Sequence, residues 1–415
     1  MRLWTIFTKI TVRKMNVKIN IGKASGAVKA PPSKSAAHRL LIAAALAKGV
    51  SRISGVSLCE DVLATVDCLN ALGAQITISG DVATVRGFDP RKADPRVELF
   101  ARESGSTLRF LIPIALLSGK AVSFGGAGRL MERPMSLYCE LCEKYNMTFK
   151  QEGGKIQVKG PFRAEELALR GDVSSQFITG LLFILPFLGG ERRIRITTKL
   201  ESRSYIDLTL DAMRYFGIDA SWEDEFTLLV REGRYVARDA EVEGDYSAAA
   251  FIDALGAVGG EVSTLGLRAD SLQGDRVYKS HLKALSEGCV EISLGDCPDL
   301  GPILFTASAA CHGARFTDTA RLKIKESDRA AVMAEELKKF GADIEVNENS
   351  VTVHKSELHA PTEVLCGHND HRVVMSLAVL ATRYGGVISG AEAVKKSYPD
   401  FFAHLRELNI EVNEL

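Results

Sequence analysis

The feature that most limits how this chain can fold is a helix that recurs six times. Its first copy opens at Pro31-Pro32-Ser33-Lys34-Ser35-Ala36-Ala37-His38-Arg39 and runs through Leu40 to Ala47 before Gly49. Further copies open at Ser104-Gly105-Ser106-Thr107, Ser174-Ser175-Gln176, Asp245-Tyr246-Ser247, Pro298-Asp299-Leu300-Gly301 and Asn369-Asp370-His371-Arg372. They run to Gly119, Gly189, Gly259, Gly313 and Gly385. Each begins with capping residues, continues as an almost unbroken apolar run and stops at glycine, which is the grammar of a buried helix. The copies stand roughly 70 residues apart, closer once between the fourth and fifth, a longer period than solenoids use. A second, amphipathic helix recurs between them, ending at Gly73, Gly217 and Gly341 and turning into a strand. Short alternating pieces at 82–85 and 350–353 read as strands. The repeating unit is about two helices and two strands with further strand pieces, α/β in class.

A chain of 415 residues is longer than one core usually serves, so two domains of three units each are expected. The apolar helices should be interior, with the sheets outside them. Their polar N-termini would then face the space between the domains, and several dipole ends aimed at one cleft make an anion trap. The expected junctions lie near Pro31-Pro32 and Glu243-Gly244-Asp245. Residues 1–32 with 244–415 would form one domain holding both termini, and 33–243 the other.

Lys+Arg and Asp+Glu both number 52, so no net charge draws the chain to nucleic acid or to a membrane surface. The longest apolar stretch, 177–190, is too short and too broken to span a bilayer. The eight scattered cysteines read as reduced cytoplasmic thiols, and Cys139 with Cys142 as two helical core cysteines rather than a redox pair. The first fourteen residues lack a full signal-peptide pattern and read as an upstream extension, because Met15 opens a clean alternating strand at 17–21.

The helix starts differ in chemistry. Lys34, Ser35 and Arg39 offer two cations and a hydroxyl, with Ser33 or Ser35 as the cap. Gly105 offers bare backbone, Ser174, Ser175 and Gln176 neutral hydrogen bonds, Asp299 a carboxylate, and Arg372 another guanidinium. Capping alone explains any one of these starts but explains six different chemistries less well. Three further clusters carry charge. Segment 128–134 is turn-rich and holds Arg129 and Arg133, Ser202-Arg203-Ser204-Tyr205 leads into an amphipathic helix, and 321–329 is a strand-like alternation running into a helix start. In the last, Lys325 and Arg329 flank Glu326, a carboxylate among cations that can be tuned for proton transfer. His368 and His371 form H-x-x-H with no carboxylate or thiol at a recognised ligand spacing, so no metal is expected. With no Walker loop, dinucleotide fingerprint or G-x-S-x-G elbow, neither ATP, NAD nor a serine nucleophile is implied.

Taken in order, Pro-Ser-Lys-Ser-x-x-x-Arg, Ser-Gly-Ser-Thr-Leu-Arg, Glu-Arg-Pro-Met, Val-Ser-Ser-Gln-Phe, Ser-x-x-Tyr-Ile-Asp, Lys-Glu-Ser-Asp-Arg, Asn-Asp-His-Arg and Lys-Ser-Tyr-Pro-Asp resemble the enolpyruvyl transferases of the 5-enolpyruvylshikimate-3-phosphate synthase family. The resemblance runs from about Val17 to the C-terminus. It implies two inside-out α/β barrels, each of three repeats, closing on their substrates. The implied reaction moves the enolpyruvyl group of phosphoenolpyruvate to the 5-hydroxyl of shikimate 3-phosphate, with no cofactor and no metal, in a cytoplasmic monomer. By resemblance, Lys34, Ser35, Arg39, Ser174, Ser175, Gln176, Ser202, Tyr205, Asp299 and Lys325 hold shikimate 3-phosphate. Lys34, Gly105, Arg133, Gln176, Arg329, Arg372 and Lys396 hold phosphoenolpyruvate. Asp299 deprotonates the 5-hydroxyl, and Glu326 with Lys34 handles the proton at the methylene carbon. Two positions depart from the family pattern: Glu103 stands where many members carry asparagine, and Arg321 where some do. The sister transferase acting on UDP-N-acetylglucosamine should carry a cysteine in the arginine loop, and 128–134 has none. A non-catalytic RNA- or anion-binding protein is disfavoured by the neutral charge and by the few aromatics near the basic residues.

Overall fold

The computed structural model describes residues 14–95, 97–164 and 166–415. The expected N-terminal extension, apart from Lys14, lies outside the described residues.

All six apolar runs are helices, at Lys34–Leu46, Gly105–Leu116, Ser175–Ile184, Tyr246–Asp253, Gly301–Ala310 and His371–Tyr384. Five begin on a side-chain cap. Ser33, Ser104, Ser174, Asp245 and Asp370 accept from the backbone N–H of Ala36, Thr107, Gln176, Ala248 and Arg372. Of the two serines in the first start, Ser33 is therefore the cap. The fifth helix is entered through a 3₁₀ turn at Pro298–Leu300 and has no side-chain cap, which leaves the Asp299 carboxylate for other partners. Each stop glycine is left-handed, with φ of 127° at Gly49, 70° at Gly119, 77° at Gly189, 96° at Gly259, 76° at Gly313 and 72° at Gly385. Glycine takes that region with least strain, so these residues turn the chain just after the helices. Amphipathic helices alternate with the apolar ones, at Glu60–Leu72, Ser136–Lys144, Arg203–Tyr215, Tyr278–Glu287, Arg329–Lys338 and Phe401–Glu407.

Five sheets share one four-stranded order. In the first, Ala240–Glu241 lies parallel to Val50–Ser54, followed by antiparallel Val82–Arg86 and Gln75–Ser79. The same pattern of one parallel and two antiparallel pairs recurs in the sheets centred on Ala121–Gly125, Glu191–Ile196, Ala314–Thr317 and Gly386–Ser389. The last of these is assembled from both ends of the chain, because Asn16–Ile19 sits between Gly386–Ser389 and Val412–Glu414. The sixth sheet is only Ser25–Lys29 parallel to Glu261–Leu265. Among the described residues every sheet is open, and no ladder closes into a barrel.

The buried apolar side chains form two clusters. One draws on Ala36 through Val242, the other on Val17 through Ala30 and Tyr246 through Val412. The chain crosses between them twice, and the two crossings pair. Ser33 N–H donates to Glu243 O at 2.7 Å, and Asp245 N–H to Pro31 O at 2.8 Å.

Two local expectations are corrected. Residues 320–324 are a 3₁₀ turn, not a strand. The strand is Ala314–Thr317, already paired on both sides, and Asp318 at φ 57° turns the chain out of it. In the helix Ser136–Lys144, Cys142 is buried but Cys139 is exposed, so only one of the pair is a core residue.

Candidate active site

Five of the six apolar helices bring their first residues to the wall of one cavity of about 80 Å³. Lys34 and Ser35, Gly105 and Ser106, Ser174 with Ser175 and Gln176, Pro298 and Asp299, and His371 with Arg372 all line it. The start at Asp245 lies one step behind. Its carboxylate caps its own helix and also accepts from Lys34 N–H at 3.0 Å, tying two helix starts from different clusters.

The wall carries eight cations, Lys34, Arg39, Arg109, Arg133, Arg321, Lys325, Arg329 and Arg372, against three carboxylates, Asp61, Asp299 and Glu326. In a chain of zero net charge this excess is local, and with the helix N-termini it makes the cavity a site for anions. The three carboxylates are shared out. Lys34 Nζ reaches Asp61 at 2.8 Å. Arg133 and Arg329 grip Glu326 at 3.1 and 2.6 Å. Asp299 accepts from Arg329 at 2.9 Å, from Arg372 at 2.9 Å and from Lys325 at 3.2 Å. Arg329 itself is fully buried and anchored on Asp370 at 2.9 Å.

These partners decide the protonation states. Burial opposes charge on Asp299, but Arg372, Lys325 and Arg329 hold its pKa well below the usual carboxylate range. Burial likewise opposes charge on Glu326, and Arg133 and Arg329 overcome it. For Lys34 burial works against the ammonium, and Asp61 more than restores it. Other cations are less well served. Burial pushes Arg39 and Arg109 down to about 10 and Lys325 to about 8. Burial and the Lys34 ammonium bring His371 to about 3, so its imidazole is neutral. Among the described residues Arg109 Nε, Arg133 Nε, Arg372 Nε and both ring nitrogens of His371 are buried with no partner. Buried donors left unmatched are costly, and an anion is the acceptor they would suit.

The neutral side of the wall is also ordered. Gln176 Oε1 accepts from Arg109 at 2.7 Å, and its Nε2 donates to Ser106 Oγ at 3.0 Å. Arg39 donates to Ser35 O, Thr209 Oγ1 and Tyr205 O. Tyr205 OH donates to Asp275 at 3.3 Å. Ser202, left-handed at φ 58°, takes a hydrogen bond from Arg321, which also pairs with Glu201 at 3.0 Å. A Cβ on Gly105 would stand 2.6 Å from Arg133 Nη1, so the bare backbone there leaves room for that guanidinium.

A family model described as EPSP synthase (3-phosphoshikimate 1-carboxyvinyltransferase) matches residues 19–405. The chain belongs to the EPSP synthase family. It is 40% identical to a 3-phosphoshikimate 1-carboxyvinyltransferase of Clostridium kluyveri, over 96% of this chain and 98% of that one. It is 36% identical to one of Clostridioides difficile over the same shares. Its fold is similar to the EPSP synthase of Acinetobacter baumannii, with a TM-score of 0.75 and 23% identity, covering 96% of this chain and all of that one. It is similar in fold alone to the enolpyruvyl transferase NikO of Streptomyces tendae, at a TM-score of 0.76 and 15% identity, over 97% and 99% of the two chains.

Of the motifs that resemble EPSP synthases, all but the last place residues on the cavity wall. Lys34, Ser35, Arg39, Gly105, Arg133, Ser174, Ser175, Gln176, Ser202, Tyr205, Asp299, Lys325, Glu326, Arg329 and Arg372 meet there. Lys396 does not line the cavity. Its ammonium is turned to Glu103 at 2.8 Å and to the carbonyl of Asn369. Sequence reasoning missed Asp61, Arg109 and His371. Arg109 carried a signal, since it follows Gly105 by four residues as Arg39 follows Ser35. Asp61 carried none, because an acid in the first turn of Glu60–Leu72 reads as an ordinary complement to the helix dipole. His368, with no carboxylate at a recognised ligand spacing in the sequence, meets one from a distant helix: Glu336 at 2.9 Å. Glu335, Glu336 and His368 lie close enough to share an ion, but Lys339 and Cys366 N–H already fill the acceptors of Glu336.

Proposed function

We propose that this chain transfers the enolpyruvyl group of phosphoenolpyruvate to the 5-hydroxyl of shikimate 3-phosphate, releasing phosphate. One observation carries the reading: Arg329 grips both Asp299 and Glu326, with Arg372 added on the first and Arg133 on the second, inside a cavity with more cations than its carboxylates neutralise. Both substrates are phosphorylated, and phosphoenolpyruvate adds a carboxylate, so an excess of cations is what they require.

Arg39, Lys325 and the start of the helix at Ser175 would take shikimate 3-phosphate, with Ser35, Ser174, Ser202 and Tyr205 around it. Lys34 and Gln176 would serve both ligands. Arg133, Arg329 and Arg372, with Gly105 leaving room, would take phosphoenolpyruvate, joined by Lys396 once its ammonium leaves Glu103. Asp299 and Glu326 thus occupy the places of substrate anions until those anions arrive. Binding draws the arginines away, and the proton affinity of both carboxylates rises. Asp299 then accepts the 5-hydroxyl proton as the oxygen bonds to C2 of phosphoenolpyruvate. Glu326, with Lys34, delivers a proton to the methylene carbon. The resulting tetrahedral adduct loses phosphate from C2 and a proton from the new methyl group, which restores the double bond. No step needs a metal or a redox partner.

The two apolar clusters support a reading as two domains, residues 1–32 with 244–415 and residues 33–243, each of three units with helices inside and sheets outside. A cavity of about 80 Å³ is small beside ligand pockets of ~300–1,000 Å³. The domains must therefore part to admit both substrates, swinging on the paired crossings at Pro31–Ser33 and Glu243–Asp245, then close to exclude water from the adduct. The working unit is one chain, since a single chain supplies every group named. Its free cysteines suit a reducing cytoplasm. No helix among the described residues is long and apolar enough to cross a membrane.

Phosphate release tests the reading. It should require both shikimate 3-phosphate and phosphoenolpyruvate and should persist in a chelator. Release from phosphoenolpyruvate alone, or none with both present, would sink it. A pH effect accompanies it. Lys325, at about 8 in the free site, meets a phosphate only in its protonated form. The bound anion raises that pKa, so affinity is full below about pH 8 and falls as pH rises through the interval above it, by up to about tenfold per unit. Calorimetric titration of shikimate 3-phosphate at pH 7 and pH 9.5 checks the sign; equal affinities would remove Lys325 from the phosphate.

A further inference from the structure

Lys396, which does not line the cavity, is paired with a carboxylate from the other half of the molecule. Glu103 immediately precedes Ser104, which caps the helix at Gly105, and so belongs to the half built around the first cluster. Lys396 and Asn369 belong to the other half, at the end of the 3₁₀ turn Ala391–Lys396 and just before the start of His371–Tyr384. The Glu103 carboxylate accepts from Lys396 Nζ at 2.8 Å and from Asn369 Nδ2 at 2.9 and 3.2 Å. Lys396 Nζ also donates to Asn369 O, which completes a closed three-residue knot. The pair is mostly shielded, with side-chain exposures of 11% for Lys396 and 25% for Glu103. The backbone makes space for it. A Cβ on Gly128 would stand 2.5 Å from Glu103 Oε2, so the carboxylate occupies a place that a side chain at 128 would fill.

We propose that Glu103 sets the affinity of this chain for phosphoenolpyruvate by competing, as an internal carboxylate, for the Lys396 ammonium. This rests on the reading of the cavity given above and adds a determinant that lies outside the cavity wall. A carboxylate of the chain and a carboxylate of the substrate are the same chemical group seeking the same cation. While Glu103 holds Lys396, the competent arrangement is only a fraction of the population, and the apparent dissociation constant rises by the reciprocal of that fraction. No bond is made or broken in this exchange; one ion pair replaces another. The contest concerns one substrate only, since shikimate 3-phosphate has its cations elsewhere, at Arg39 and Lys325.

Glu103→Gln tests this, because it keeps the shape and an acceptor for Lys396 while removing the competing charge. Steady-state kinetics with each substrate varied in turn should show KM for phosphoenolpyruvate falling by about fivefold or more, with KM for shikimate 3-phosphate where it was. Inhibition by an unreactive carboxylate-bearing mimic of phosphoenolpyruvate should tighten by the same factor. A KM for phosphoenolpyruvate that stays the same or rises would overturn the proposal, showing that Glu103 is bystander or support to Lys396. Equal shifts in both KM values would overturn it too, since they mean a change in how the halves meet. Glu103→Asp, which shortens the reach across the cleft but keeps the charge, should fall between wild type and Glu103→Gln; a value outside that interval counts against competition. Wild-type turnover in the same assay distinguishes failure here from failure of the functional reading, because that reading fails only if wild type releases no phosphate.

Discussion

Lys34→Met should cost this chain both ligands at once. Lys34 opens the first apolar helix, its N–H is tied to Asp245, and its ammonium stands on the cavity wall beside Glu326 and Arg372. Removing a charge-assisted contact from an enclosed site costs on the order of 2–5 kcal/mol. Turnover should therefore fall at least about thirtyfold, since each 1.4 kcal/mol is tenfold. A confounding effect is visible in the geometry. Lys34 is the ion-pair partner of Asp61, whose side chain is 9% exposed, and an acid left unpaired there destabilises the fold. Lys34→Met with Asp61→Asn removes that penalty. The double variant should recover thermal stability without recovering turnover. Near-normal turnover in either variant would mean that the ligands sit elsewhere.

Asp299→Asn and Glu326→Gln should each lower kcat by about 10²-fold or more while leaving shikimate 3-phosphate bound. Both keep size and much of the hydrogen bonding, and both remove titration. The expected losses arise in different steps. Asp299 receives three cations through its two oxygens, so it is ionised and a weak base; on the proposed reading, phosphoenolpyruvate relieves it by engaging Arg329 and Arg372. Glu326 is ionised by Arg133 and Arg329, and on the same reading gains a proton once those arginines turn to the substrate. In the neutral variants the arginines lose their resting partners. Phosphoenolpyruvate should then bind no worse, and its dissociation constant, read by fluorescence or calorimetry, separates a lost proton transfer from a lost ligand.

The parts of the molecule that follow from local chemistry were legible in the sequence. A cap, an apolar run and a stop glycine define a buried helix within about a dozen residues, and all six such runs are helices with left-handed glycines beyond them. The convergence of Lys34, Gly105, Ser175, Asp299 and Arg372 was legible for the same reason, since each is the head of such a helix. Pairings set by distant partners were not. Asp61 reads as a dipole complement until Lys34 is seen beside it. The H-x-x-H at His368 and His371 gives no hint that Glu336 reaches one histidine while the other faces the cavity. The alternation at 321–325 has the period of a strand, yet Asp318 has already turned the chain and Ala314–Thr317 has filled both ladder positions. The reduction of one sheet to two strands is likewise invisible locally, because sheet membership depends on which edges meet. The pairing of Lys396 is equally hidden: a motif names the residue, and only the fold shows Glu103 facing it.

Solvent deuterium in the methylene group of phosphoenolpyruvate tests the central claim most directly. With shikimate 3-phosphate present in heavy water, wild type should place deuterium on that carbon in recovered phosphoenolpyruvate and in the product, because protonation to a methyl group and its reversal pass through one adduct. Glu326→Gln should suppress the exchange by about 10²-fold or more. Exchange by Glu326→Gln at the wild-type rate, or its absence from a wild-type enzyme that releases phosphate, would contradict the account.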